Sequence, residues 1–186
     1  MNAAYVATSL RGALRLARFD AGGMADLDLT ISGLQRSFLT ALLCLPIVGF
    51  FRLTQTDGGT DTEFVVVQAV GYAAGWVVFP LAMVPIALLL RLSRGYVPFI
   101  VANNWAVVWQ TLLLVPAMVL MRSPTTAAYS AVAYFFALGI VIAYQWFVAR
   151  TALQAPAVTA VGIVALQLTL DFTIAITTDY LASSDA

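Results

Sequence analysis

PFIVANNWAVVWQTLLLVPAMVLM, residues 98–121, decides how the rest of the chain is read. Its twenty-four residues carry no charge, and a run of about 20 apolar residues is enough to cross a bilayer as a helix. It is also the most polar of the long apolar runs, because Asn103, Asn104 and Gln110 stand among Trp105 and Trp109. Asn103 and Gln110 are seven positions apart and share one helical face, whereas Trp105 and Trp109, four apart, share another. Two similar runs precede it and two follow, so it is the third of five. The expectation is an all-α polytopic membrane protein, five transmembrane helices preceded by an N-terminal amphipathic interfacial helix.

Composition agrees with that expectation. Of 186 residues, 62% are hydrophobic and 10% charged, where soluble domains carry roughly 25% charge. The mean hydropathy is +0.93. Five spans of about 20 residues use most of the length. Residues 1–35 are then a cytoplasmic N-terminal segment, 36–180 the membrane domain and 181–186 a short tail. Nine Arg balance nine acids, with neither Lys nor His, which excludes a basic nucleic-acid face. Cys44 stands alone inside the first apolar run and reads as a small buried hydrophobe, with no disulfide framework and no cysteine metal site. No metal or cofactor is expected.

Before the spans, residues 4–19 read AYVATSLRGALRLARF. Arg11, Arg15 and Arg18 fall on one helical face, and Tyr5, Val6, Leu10, Leu14 and Ala17 cluster on another. That is the pattern of a helix lying on a membrane surface with Arg towards anionic headgroups. A helix packed on the protein's own loops has the same pattern. No apolar core follows the arginines, so the segment is not read as a cleavable signal. The Gly-containing stretch at 20–29 breaks this helix, and Asp28 or Thr30 is placed to cap the next one.

The first span is expected at 38–53, continuing a helix begun near Ile31, with Pro46 and Gly49 inside it. The second, 64–90, holds Gly71 and Gly75 on a small-xxx-small face suited to helix packing. Pro80 and Pro85 are expected to bend or interrupt it. The fourth and fifth spans are expected at 127–149 and 156–178. With the N-terminus cytoplasmic, Arg11, Arg15, Arg18, Arg36, Arg91, Arg94 and Arg150 lie inside, and Arg52 and Arg122 outside. This seven-to-two bias follows the positive-inside rule. The acidic connection at 54–63 and the C-terminus then face outwards.

Asp171 is the sharpest single feature, because a carboxylate inside a span costs about 2.5–3.5 kcal/mol and needs a partner or a wet cavity. Gln167 lies one turn before it, and Gln110 falls at similar depth. Asp171, Gln167 and Gln110 form one expected polar cluster; Asn103, Asn104 and Gln145 form a second, nearer the cytoplasm. Either an ion path or interhelical hydrogen bonding accounts for such clusters. Trp76, Trp105, Trp109 and Trp146 are read as packing or interfacial anchors. With no His, no glycine-rich phosphate loop and no Ser beside a base, no catalytic residue is assigned.

The cytoplasmic N-terminal segment, five closely connected spans, LCLPIVGFF in the first span and APAVTAVGIVAL leading into the fifth together resemble the Yip1 family of small membrane proteins. The Asn103-Asn104-Trp105 run departs from its bacterial members. The resemblance implies a five-span membrane fold; the eukaryotic family is linked to membrane traffic and small-GTPase partners, while its bacterial members have no assigned activity and supply no site residues. The Arg-only, Ala-rich composition suggests a bacterial inner membrane. The expected role is a non-enzymatic scaffold, assembly or accessory subunit, with the lipid bilayer, other membrane subunits or a second copy as partners. The alternative is a small transporter or channel using the Asp171 and Gln cluster. Whether Asp171 meets a hydrated cavity or a packed interface separates the two.

Overall fold

The computed structural model describes residues 2–53, 62–121 and 127–184, and among them there is no strand. The acidic connection at 54–61 and the turn bearing Arg122 lie outside the described residues. Seven helices follow in order: α1 (Ala3–Ala17), α2 (Ile31–Ser37), α3 (Thr40–Leu53), α4 (Thr62–Leu89), α5 (Ser93–Leu120), α6 (Ala127–Leu153) and α7 (Ala157–Ser184), with a 3-10 turn at Ala21–Asp26. Counting α2 with α3 as Ile31–Arg52, five helical stretches are long and apolar enough to cross a membrane.

The first span is jointed where the sequence suggested one continuous helix. Thr30 caps α2 by accepting from Gly33 N at 3.1 Å. At the joint, Ser37 Oγ donates to Leu34 O (2.7 Å) and Thr40 Oγ1 donates to Ser37 O (2.5 Å). These hydroxyls, both fully buried, offer the backbone an alternative to the regular ladder. Conversely, α4 is not interrupted at Pro80 or Pro85. Beside it, Tyr96 OH of α5 donates to Pro80 O at 3.0 Å and ties α5 to α4 at that point.

α5 is the central element. Of its apolar window 56% is buried, against 22–28% for the other four spans. Residues 99–106 are all buried, which a helix covered on one face alone cannot show. α1, α2, α3, α4 and α6 pack around it, and α7 closes the bundle against α4 and α6.

α1 packs on the protein itself. Ser9, Gly12, Ala13 and Leu16 are buried, Gly12 against the 3-10 turn. Tyr144 OH donates to Ala13 O (2.6 Å), Trp109 Nε1 donates to Leu10 O (3.0 Å), and Tyr5 meets the Trp105 ring edge-on. On its outer side, Arg11 and Arg15 both bind Asp26 (2.9 and 3.1 Å), and Arg15 also binds Asp20 (2.7 Å). The two arginines therefore meet carboxylates of the 3-10 turn; Arg18 makes no ion pair among the described residues. The Arg15 guanidinium and the Gly22 N–H hold Asp20 below the usual carboxylate range, and Arg11 followed by Arg15 does the same for Asp26.

Candidate functional site: a polar cavity in the bundle

α3, α4, α5, α6 and α7 line a cavity of about 300 Å³. Its wall runs from Arg52, Gln68 and Thr178, near the ends of α3, α4 and α7, inwards past Cys44, Tyr72, Trp76, Thr111 and Asp171. It ends at Phe79, Asn103, Gln145 and Gln167. At 1.5 Å per residue, Asp171 lies about 20 Å from either end of α7, near mid-span.

All six residues of the two expected polar clusters line this one cavity, but their pairing follows helix contacts and not the expected grouping. Gln145 Nε2 donates to Gln110 Oε1 at 3.3 Å, across the α5–α6 contact. The Gln110 Nε2 and Gln145 Oε1 atoms are buried and lack a partner. Asn104 Nδ2 turns to Ser37 Oγ at the first-span joint (2.9 Å). Asn103 and Gln167 are buried on the wall. Asp171 is exposed to the cavity and makes no hydrogen bond or ion pair with the described residues.

The Gly71/Gly75 face divides. A Cβ at Gly71 would stand 2.7 Å from Thr178 Cγ2, so α7 rests on α4 at that point, whereas Gly75 has nothing within 4 Å and opens onto the cavity. The two glycines are turned about 40° from each other, so Gly71 meets α7 while Gly75 faces the cavity. Gly71 is a packing residue; Gly75 makes room.

Sequence reasoning overlooked two charged residues. Arg52 of α3, on the cavity wall, pairs with Asp179 of α7 at 2.8 Å. Both sit at the same end of their spans, so the topology carried the signal. Trp105 and Trp109 are packed beneath α1, and Trp146 donates to Ala157 O with Arg150 over its ring. Trp76, read as packing, stands edge-on to Tyr72 on the cavity wall.

Because Asp179 answers the charge of Arg52, the carboxylate of Asp171 is the unanswered charge on the described wall. A carboxylate at mid-span is costly unless water or a cation reaches it. Carboxamide oxygens can accept from a bound cation, and the Tyr72 and Trp76 rings can face it. Among the described residues, no three or more His, Cys, Asp or Glu gather into a metal site. No family model, curated protein or solved structure matches the chain.

Proposed function

We propose that this protein sits in a bacterial inner membrane as a five-span transporter and carries a small cation through its central cavity. The observation that carries the reading is Asp171, facing a cavity of about 300 Å³ without a protein partner among the described residues. That volume lies at the small end of the range for ligand sites. One carboxylate, several carboxamides and two aromatic rings suit an ammonium or small alkylammonium ion better than a bare metal ion, which needs more oxygen ligands. The buried run at 99–106 seals the end of the bundle beneath α1. Closure at that end favours alternating access over an open pore.

Membrane placement is supported by the five apolar helices and by side chains such as Leu89, Val132, Phe136 and Val158, which are 72–83% exposed on the bundle exterior. The arginine distribution supports a cytoplasmic N-terminus and a C-terminus on the periplasmic side. A role as accessory subunit is favoured by the outer face of α6, where Tyr129, Val132, Phe135 and Phe136 are 67–83% exposed and offer an aromatic strip to another membrane helix or a second copy.

Uptake of labelled methylammonium by proteoliposomes of the purified chain separates the two. Transport requires uptake by the wild type and its loss in Asp171→Asn. No uptake, or uptake that survives this substitution, leaves the accessory role as the better account.

A further inference from the structure

At the α4–α5 turn the chain adopts a backbone that its residue types do not favour. Leu92 N donates to Ala87 O (2.7 Å) and Arg91 N to Leu88 O (3.2 Å), the paired bonds that end a helix with a left-handed residue. That left-handed residue is Arg91, at φ 58°, where glycine is the cheap choice. A residue held in such a conformation points to a use for its side chain.

Arg91 and Arg94 stand on the wall of a recess of about 580 Å³ that also takes in Met24, Leu29, Pro98 and Gln154. Its lining includes no acid, and neither arginine makes an ion pair among the described residues. One side of the recess is fixed by close backbone contact: a Cβ at Gly95 would stand 2.7 Å from Leu153 Cα, so the start of α5 is seated directly on the end of α6. Beside the arginines, Leu88, Leu89 and Leu90 are 65%, 82% and 45% exposed.

We propose that this recess binds the phosphate of an anionic phospholipid headgroup. Two guanidiniums offer several donors in the geometry phosphate oxygens accept. The wall gives no carboxylate to the ammonium of a zwitterionic headgroup, so a net-negative lipid is preferred. The exposed leucines lie where its acyl chains begin. The site is separate from the central cavity and rests on the membrane placement alone.

The test is native mass spectrometry of the full chain released from nanodiscs of mixed phosphatidylglycerol and phosphatidylcholine. The wild type should retain phosphatidylglycerol over phosphatidylcholine by about tenfold or more. Arg91→Gly should lose most of that preference while melting no lower than the wild type, since glycine suits the left-handed position. Arg91→Gly with Arg94→Gln should lose it entirely. Retention that resists excess inorganic phosphate assigns the site to the lipid; displacement by inorganic phosphate would overturn the lipid assignment in favour of a free phosphate compound. Equal retention of the two lipids, or unchanged preference in the double variant, would overturn the site itself.

Discussion

Asn104 Nδ2 lies 2.9 Å from Ser37 Oγ, a bond that ties the middle of α5 to the joint between α2 and α3 across 67 positions of sequence. Both side chains are buried. Ser37 Oγ donates its own hydrogen bond to Leu34 O, so one hydroxyl both accepts from the core helix and shapes the break in the first span. Asn104→Leu should lower stability by about 1 kcal/mol, the scale of side-chain hydrogen bonds between membrane helices. Ser37→Ala should cost at least as much, because both bonds go. Unfolding in mixed micelles measures these losses. If the two substitutions prove fully additive, the bond is not the shared cause.

Gly71 and Gly75 should respond oppositely to alanine. At Gly71 the new methyl would press on Thr178, and overpacking of this kind costs about 1–3 kcal/mol. At Gly75 it enters open space, and the helix gains up to about 1 kcal/mol from the better propensity. Adding Thr178→Ala to Gly71→Ala should recover part of the loss. Recovery stays partial, because the Thr178 Cβ is itself only 3.0 Å from the added group. Equal melting temperatures for the two glycine variants would show that α7 does not rest on α4 there.

These two positions also show how far the sequence could be read. Length and apolar texture announce each span, since a helix crossing a bilayer must be about 20 residues long and apolar. They also pick out α5, whose polar residues lie in the most buried helix of the bundle. Pairing is another matter. Depth counted along each span grouped Gln110 with Gln167 and Asp171, yet α5 and α6 cross so that Gln110 meets Gln145. Helix crossing is set by the summed packing of many small contacts and leaves no local mark. The arginine face of α1 is ambiguous for a related reason: headgroup phosphates and the carboxylates of Asp20 and Asp26 select the same spacing.

The α1 clamp should loosen in acid. Asp20 and Asp26 carry lowered values in the folded chain, chiefly through their hydrogen bonds to Arg15 and Arg11. Their contribution is therefore whole above the ordinary carboxylate value of about 3.9 and is lost as pH falls from there through the lowered values. The value of Arg15 is raised, so its charge persists throughout that range. Tyr5 covers Trp105 from α1, so acrylamide quenching of tryptophan fluorescence should rise below about pH 4. Asp26→Asn should raise it at neutral pH. The arginines of these pairs are 65% and 38% exposed, so high salt should weaken the pairs too. Quenching that ignores both pH and Asp26→Asn would mean that apolar contacts alone hold α1.

The amide pair in the cavity separates stability from function. Gln110 and Gln145 share one bond of 3.3 Å, yet each keeps a buried polar atom without a partner. Such atoms cost about 1–3 kcal/mol each, and replacing both members of a pair by apolar groups of like shape is often neutral or stabilising. Methionine is unbranched and adaptable, so it fits the space of glutamine. Gln110→Met with Gln145→Met should therefore melt at or above the wild-type temperature. If the free Gln145 Oε1 accepts from an ammonium ion beside Asp171, the same double variant should lose methylammonium uptake while gaining stability. A protein that keeps these amides only to hold α5 against α6 would show the reverse: a lower melting temperature, with any uptake unchanged in the part that still folds.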